Sequence, residues 1–224
     1  MAVVVRFRAA VALIGRFPAL AGVDLDVASG EVLLVTGPNG AGKTSLLRAC
    51  AGLLAVTGGE AHVLGHDLRR DRRSVRRSVA MLGHATFLYD DLTVVDNVRF
   101  AVRAARSDLS AVDPALAQLG LGGRLRHTAV GKLSAGQRRR VAIATVVARA
   151  PELWLLDEPH AGLDAAGRDI LDEVIRAASS SGATILLASH ETERAGALAG
   201  RVARMAGGQV VAVPVHTEEP VHVA

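Results

Sequence analysis

Residues 37–44 combine glycines, a lysine and a threonine in a pattern that is suited to binding phosphate. They read, in order, Gly37-Pro38-Asn39-Gly40-Ala41-Gly42-Lys43-Thr44 and fit G-x-x-x-x-G-K-[ST]. Glycines let backbone N–H groups turn towards phosphate oxygens, and the start of a following helix adds partial positive charge. In this pattern the lysine reaches the β and γ phosphates, and the threonine hydroxyl is a ligand of Mg²⁺. A simple glycine-rich turn would need neither Lys43 nor Thr44, so the pattern predicts a nucleotide site.

Two adjacent carboxylates, Asp157 and Glu158, follow the apolar run at residues 153–156. If this run is a strand, both carboxylates lie at the sheet edge where ligands bind in parallel α/β sheets. One carboxylate can hold a metal ion through water while the next polarises an attacking water. The alternative is a charged strand end before the turn at Pro159, a minor alternative once the phosphate loop is present.

Ser134 and Gln137 fit the S-x-x-Q capping box at the start of a helical pattern. Taken alone, the segment needs no other explanation than this helix cap. The order of motifs along the chain favours more than a helix cap, because the segment precedes Asp157 and because His190 follows Asp157 at another predicted strand end. A lone histidine at a strand end would more often be structural.

The elements that must position these residues alternate between strand and helix patterns. Strands are predicted at residues 3–7, 23–27, 31–36, 61–64, 78–82, 152–156 and 183–188, with weak strands around Val202 and Val210. After Gly42 an amphipathic helix is predicted from the buried stripe Leu46, Leu47, Cys50, Leu53 and Leu54. Residues 93–149 show mainly helical patterns with a polar, glycine-containing break at 120–132, and further helices are predicted at 166–180 and 192–198. This alternation indicates an α/β fold with a mostly parallel sheet.

Length and composition favour one globular domain of 224 residues, with 50% hydrophobic and 21% charged residues. The net charge is +4, and six arginines lie at residues 69–77. Because aromatic residues make up only 3% and none interrupts this cluster, we interpret it as a solvated surface, and nucleic acid is an unlikely partner. No apolar run is long enough to span a bilayer, which predicts a cytoplasmic chain. The single cysteine, Cys50, is expected in the core.

Taken in order, these motifs resemble the ATP-binding cassette (ABC) ATPases over about residues 3–213. The resemblance implies a P-loop NTPase cassette with a mostly parallel sheet core, an N-terminal antiparallel β part and a helical subdomain. It implies one ABC ATPase domain at residues 1–224, with the helical subdomain at about 86–150 inserted in the α/β core. Residues 161–164 match the family's D-loop, which follows the two carboxylates.

The resemblance also implies roles for individual residues. ATP and Mg²⁺ are the expected ligands, with Thr44 and Asp157 at the metal. The expected catalytic residues are Glu158 as base, His190 at the γ-phosphate, and Lys43. The expected nucleotide contacts are Gly37, Pro38, Asn39, Gly40, Ala41, Gly42, Lys43, Thr44, Ser45, Ser134, Gly136 and Gln137. The last three would act in a head-to-tail dimer, where the start of the signature helix meets the γ-phosphate held by the other subunit.

Three positions depart from the family pattern. Ile14 stands where the family often has an aromatic residue that stacks on adenine, and Phe17 could substitute for it. No glutamine occurs at residues 83–85, where the family's lid glutamine is expected, so either His84 takes part of that role or the linkage to the transport partner is altered. Ala135 replaces a glycine of the signature and adds only a methyl group.

Within the family, the chain is similar to the haem exporter ATPase of cytochrome c biogenesis. The similarity rests on Gly83-His84, on the signature followed by Arg138-Arg139-Arg140-Val141, and on the short length. It implies transmembrane subunits, a second cassette as homodimer or heterodimer partner, and a location on the inner face of the cell membrane.

Other functions stay open from the sequence. A drug- or polysaccharide-type exporter cassette would look similar. A soluble ABC switch acting on nucleic acid or ribosomes usually carries tandem cassettes or a coiled-coil insertion, for which 224 residues leave no room. A small P-loop kinase would leave the signature and His190 without a role.

Overall fold

The computed structural model describes residues 2–212, which are built around a six-stranded sheet with the spatial order β10-β9-β3-β8-β7-β6. Its strands are β3 (Val32–Thr36), β6 (Val79–Leu82), β7 (Leu153–Asp157), β8 (Thr184–Ala188), β9 (Arg201–Ala206) and β10 (Gln209–Ala212). Neighbouring strands from β9 to β6 are parallel, and β10 is antiparallel to β9. The carboxyl ends of β3, β7 and β8 therefore meet at one edge.

A second, antiparallel sheet has the order β2-β1-β4-β5. Its strands are β1 (Val3–Ile14), β2 (Phe17–Ala28), β4 (Val56–Val63) and β5 (His66–Asp67). The turn between β1 and β2 brings Ile14 opposite Phe17. This hairpin thus carries both Ile14, which stands where the family often has an aromatic residue, and Phe17, its predicted substitute.

Seven α-helices connect and cover the sheets in the described part of the chain. They are α1 (Lys43–Cys50), α2 (Leu68–Asp71), α3 (Val94–Ala105), α4 (Val112–Gln118), α5 (Ala135–Arg149), α6 (Ala165–Ser180) and α7 (Thr192–Gly196). Helix α1 contacts β7 and β8 on one side and β2 on the other, so it lies between the two sheets. Helices α3 and α4 both pack on α5.

The central strands are buried on both faces, which explains their continuous apolar sequences. In β3, Leu33 and Val35 belong to the core shared with α1 and the antiparallel sheet, whereas Leu34 belongs to the core formed with α3 to α6. All five residues of β7 are buried, up to and including Asp157. Because β7 has no polar side chain before its carboxyl end, its first carboxylate lies at the sheet edge.

The fold class predicted from the sequence is confirmed, with several corrections to element bounds. β1 continues to Ile14 instead of ending at Phe7, and β2 begins at Phe17 instead of Val23. Helix α1 ends at Cys50, so Leu53, predicted on its buried face, is 55% exposed. The predicted domain limits, residues 1 and 224, lie outside the described residues.

Two predictions about single features are confirmed. Cys50 is fully buried, and burial raises the pKa of its thiol to about 12, which leaves it protonated and inert at neutral pH. Five of the six arginines at residues 69–77 are exposed, and Arg72 is half-buried. In residues 2–212, no helix combines the length and the apolarity that crossing a membrane requires.

Candidate functional site

The phosphate loop lies between β3 and α1 and depends on glycine at two positions. Gly37 has φ 144°, and a Cβ atom there would overlap the carbonyl oxygen of Met205. Gly42 has φ 105°, and a Cβ atom there would lie 2.9 Å from the carbonyl oxygen of Ala19. Gly42 is also the N-cap of α1, where no side chain caps the helix. The first N–H groups of α1 therefore face the loop without a side-chain acceptor, as an anion site requires.

The side chain of Lys43 folds back over this loop. Its Nζ donates hydrogen bonds to the carbonyl oxygens of Gly37, at 2.7 Å, and Pro38, at 3.3 Å. The residue is only 9% exposed. A buried ammonium group whose partners are only neutral carbonyls is well placed to exchange them for phosphate oxygens.

Two side-chain oxygen atoms, from Thr44 and Asp157, meet where the phosphate loop faces the end of β7. The hydroxyl of Thr44 donates a hydrogen bond to Oδ2 of Asp157 at 2.8 Å. These residues are distant in sequence and come together because α1 packs against β7. Both side chains line the same cleft as the loop.

Glu158 stands next to this pair, with His190 against its carboxylate. Nδ1 of His190 lies 2.8 Å from Oε2 of Glu158. Ser189 Oγ and the N–H of His190 also approach Oε2, each at 3.4 Å. His190 reaches Glu158 because β8 runs beside β7, so residues that follow the two strands lie side by side.

One cleft of about 470 Å³ collects the loop, the carboxylates and the β1–β2 hairpin. Its lining includes all residues from Asn39 to Ser45, together with Asp157 and Glu158. Ile14, Phe17, Pro18 and Ala19 line its other end. Phe17 is 79% exposed, so its ring is open to a flat ligand.

The signature residues Ser134, Gly136 and Gln137 lie at the start of α5, and within residues 2–212 they do not line this cleft. The predicted capping box is present. Gln137 N donates to Ser134 Oγ at 3.2 Å, and Ser134 N donates to Gln137 Oε1 at 3.0 Å. Gly136 packs against the carbonyl of Gly162, where an added Cβ would lie 3.2 Å from that oxygen.

Arg139, one of the arginines that follow the signature and not predicted as a site residue, is the most deeply buried arginine near the site, at 6% exposure. Its guanidinium donates to four backbone carbonyls, those of Gly83, Asp157, Glu158 and Pro159. Burial lowers the pKa of Arg139, and the charges of Asp157 and Glu158 oppose that shift. One signal could have found it: with Ala142, Ile143 and Val146 it falls on the buried stripe of α5.

His84 lies beyond the end of β6, and its side chain is exposed. Together with Gly83 and Ala85 it borders a cavity of about 770 Å³ that also reaches Thr44 and Asp157. The lid position predicted at residues 83–85 therefore faces the end of the site where Thr44 and Asp157 lie.

Comparison with known proteins identifies the class to which this fold and site belong. Residues 20–161 match the ABC transporter family (ABC_tran), and the chain belongs to this family. It is an ATPase subunit of an ABC transporter.

The most informative relatives are export proteins. The chain is 42% identical over 174 residues to the cytochrome c biogenesis ATP-binding export protein CcmA of Xanthomonas campestris pv. campestris strain 8004, covering 77% of this chain and 80% of that one. It is 36% identical over 189 residues to CcmA of Paraburkholderia xenovorans strain LB400, covering 76% of this chain and 83% of that one. The resemblance to an export ATPase of cytochrome c biogenesis is thereby confirmed.

Solved structures confirm the fold. The dimeric, post-hydrolysis ATP-binding cassette MJ0796, bound to ADP and Pi, superposes with a TM-score of 0.86 at 22% identity and covers 96% of this chain and all of that one. An ATP-binding subunit of an ABC transporter superposes with a TM-score of 0.88 at 25% identity, over 95% of this chain and 90% of that one.

Proposed function

We propose that the cleft binds ATP with Mg²⁺ and that Glu158 is the general base for its hydrolysis. One observation carries this proposal: the Glu158 carboxylate opens onto the cleft that holds Lys43, Thr44 and Asp157, and His190 contacts it at 2.8 Å. A carboxylate beside a phosphate loop can accept the proton of a water that attacks the γ-phosphate. His190, whose side chain is 69% exposed, would orient that water or contact the γ-phosphate.

ATP would lie along the cleft, from the hairpin to the carboxylates. Lys43 would exchange the carbonyls of Gly37 and Pro38 for phosphate oxygens. Backbone N–H groups of residues 39–45 would complete the phosphate contacts at the start of α1. The exposed ring of Phe17 would cover the adenine in place of the usual aromatic, with Ile14 beside it.

The site fits Mg²⁺ rather than a metal enclosed by protein ligands. Thr44 and Asp157 offer two hard oxygen atoms, and residues 2–212 contain no group of three or more His, Cys, Asp or Glu that could hold a metal. Mg²⁺ prefers one or two protein oxygens, with phosphates and water completing its shell. When bound, it would neutralise charge on the phosphates during transfer.

The signature residues would act on a second cassette. Ser134, Gly136 and Gln137 lie outside the chain's own cleft, so a contact with the γ-phosphate requires another subunit. A head-to-tail dimer, with itself or with a sibling cassette, would bring the start of α5 to the partner's phosphate loop. ATP would close this dimer and hydrolysis would reopen it.

The membrane partner would dock on the helical side. We propose that residues 86–150 are a helical subdomain and that transmembrane subunits bind a groove of about 220 Å³ beside it. Phe87, Tyr89 and Phe100 line this groove and are 88%, 52% and 50% exposed, an unusual density of exposed rings in a chain with few aromatics. Because the groove continues into residues 83–85, His84 would link the partner to the metal end of the site.

The transported substrate would be haem destined for cytochrome c assembly. Support comes from the export proteins of cytochrome c biogenesis that resemble the chain over three quarters of its length. The chain would then work on the inner face of the cell membrane, attached through its transmembrane subunits.

The Glu158→Gln variant tests the site. Glutamine keeps the shape of the side chain but accepts no proton, so we expect ATP to bind while kcat falls by about 100-fold or more. Size-exclusion chromatography in MgATP should show an accumulated dimer. Hydrolysis by Glu158→Gln at the parent rate would contradict the general-base role.

A detergent pull-down of the chain from its native membranes tests the partner and substrate. We expect a polytopic membrane protein in the mass spectrum and a haem band in the absorption spectrum of the eluate. A polytopic partner without haem would support the transport function and contradict haem as the substrate. Ribosomes or nucleic acid in place of a membrane partner would contradict both.

A further inference from the structure

The guanidinium of Arg139 joins the signature helix to both segments that end at the catalytic edge. Nη1 donates to the carbonyl of Gly83, at the end of β6, at 2.6 Å. Nη2 donates to the carbonyl of Glu158 at 2.7 Å and to that of Asp157 at 3.3 Å, and Nε donates to Pro159 at 3.3 Å. One buried cation therefore contacts three consecutive carbonyls around Glu158.

These contacts matter because the backbone of Glu158 is strained. Glu158 has φ +46°, a left-handed conformation that residues other than glycine rarely adopt. Such a conformation persists only where the surroundings over-determine it. Here the N–H of Glu158 donates to the carbonyl of Ala188 at 2.9 Å, and its carbonyl accepts from Arg139 and from the N–H of Ala161.

The strained conformation sets the direction of the catalytic side chain. The peptide groups before and after Glu158 are held by Arg139 through the carbonyls of Asp157 and Glu158. A change of φ would swing the carboxylate away from Nδ1 of His190, which it now meets at 2.8 Å. Arg139 is thus connected to the reacting group through the backbone and not by direct contact.

We infer that Arg139 is a positioning residue for hydrolysis, which holds the Glu158 backbone in its strained conformation and ties it to helix α5. The inference rests on the proposed role of Glu158. Because Ser134 and Arg139 belong to the beginning of the same helix, any displacement of the signature would also move the carbonyl contacts of Glu158 and Gly83.

Arg149 at the other end of α5 is a matched control. Its Nη2 donates to the carbonyls of Val79, at 2.8 Å, and Arg76, at 3.3 Å. Burial lowers its pKa, as it does for Arg139. Arg149 therefore shares the helix and the kind of partner and is half-buried, but it contacts the beginning of β6 and not the catalytic edge.

The experiment compares Arg139→Gln with Arg149→Gln in the full chain, using steady-state ATPase rates, binding of a fluorescent ATP analogue and thermal melting. For Arg139→Gln we expect kcat per folded molecule to fall about 10- to 100-fold, as for small displacements of catalytic groups. KM and the Kd of the analogue should change less than about 3-fold, because the phosphate loop is untouched. Arg149→Gln should lower Tm and leave kcat within about 2-fold of the parent.

If Arg139 had a purely structural role, kcat would be unchanged in Arg139→Gln, or both variants would lose kcat equally. Either result would overturn the inference. If Arg139→Gln does not fold, Arg139→Lys replaces it, since lysine keeps the charge but cannot span the four carbonyls. It should show the same loss of kcat, and a parental kcat would overturn the inference.

A double variant separates this inference from the proposed function. If Arg139 acts through Glu158, then Arg139→Lys combined with Glu158→Gln should be no slower in single turnovers than Glu158→Gln alone. Additive losses would overturn the inference while leaving Glu158 as the base. A parental rate in Glu158→Gln by itself would instead refute the proposed general base, whatever Arg139 does.

Discussion

The beginnings of helices α1 and α5 are both proposed to meet phosphate, yet they are built differently. Helix α1 starts at Gly42 with no side-chain cap, and Lys43 lies over the loop before it. Helix α5 starts at Ser134 with a complete capping box in which Gln137 takes part. The first helix therefore presents free N–H groups to a ligand, whereas the second satisfies part of its own N–H groups.

This difference indicates how a two-subunit site can be controlled. An uncapped helix start can bind an anion in a single chain, because no side chain competes with the ligand. A capped start already has part of its N–H groups satisfied in the isolated chain, so a phosphate would have to replace some of these hydrogen bonds in order to bind there. Nucleotide would thus bind first at α1, and α5 would engage only when a second cassette brings its phosphates close.

The largest effect is expected for Lys43→Ala, which removes the cation at the start of α1. The two charge-assisted hydrogen bonds that Lys43 is proposed to donate to phosphate oxygens, of about 1.5 to 3 kcal/mol each, would be lost. Nucleotide affinity should then fall by at least about 100-fold. Equilibrium binding of a fluorescent ATP analogue and ATPase assays measure this loss. Normal turnover by Lys43→Ala would refute the phosphate-loop assignment.

A smaller effect is expected for Ser134→Ala, which acts on the α5 side. Loss of one hydrogen bond to a charged phosphate should lower the ATPase rate about 10- to 100-fold, with nucleotide binding to the single chain unchanged. Loss of the N-cap should also cost about 1 kcal/mol of folding stability.

Thr93→Ala provides the matched control, because Thr93 caps a different helix, α3, through the N–H of Asp96 and is not one of the signature residues. We expect it to lose similar stability, a fall in Tm of about 2 to 4 °C, and to keep the parent rate. Equal ATPase losses in the two variants would show that Ser134 acts only as a cap.

The smallest effect is expected at the adenine end of the α1 cleft, where Phe17 is exposed. Stacking on an aromatic ring contributes about 1 to 3 kcal/mol, and we expect the lower end because the ring is open to solvent. Phe17→Ala should therefore raise KM for ATP about 5-fold with kcat unchanged. Phe100→Ala, which removes a ring from the other groove, should leave KM alone. A parental KM in Phe17→Ala would exclude the adenine contact.

The parts of the site that sequence predicted well depend on short-range patterns. The phosphate loop needs glycine at positions 37 and 42 for local reasons, which the motif already carries. The carboxylates could be placed because a buried strand ends where its first charged residue occurs. The capping box of Ser134 and Gln137 spans one helical turn and formed as predicted.

The features that the sequence did not predict correctly depend on tertiary packing. Strand β1 of the β1–β2 hairpin runs twelve residues, Val3–Ile14, through a bulge near Ala9, which has φ +44° and interrupts the strand pattern. Leu53 continued the apolar period of α1, but the helix ended before it. Arg138, Arg139 and Arg140 look alike in sequence, yet only Arg139 is buried, because the rotation of α5 against β6 and β7 decides which one enters the core.

By itself, the sequence determined the family and the phosphate-loop pattern, and it predicted which residues would hold the metal and act as the base, since each depends on neighbours within a few positions. Only the tertiary structure decided that His190 meets Glu158, that Thr44 meets Asp157 and that Arg139 reaches four carbonyls. Those contacts join segments far apart in the chain. Their geometry follows from the order of parallel strands, which places the ends of β3, β7 and β8 at one edge.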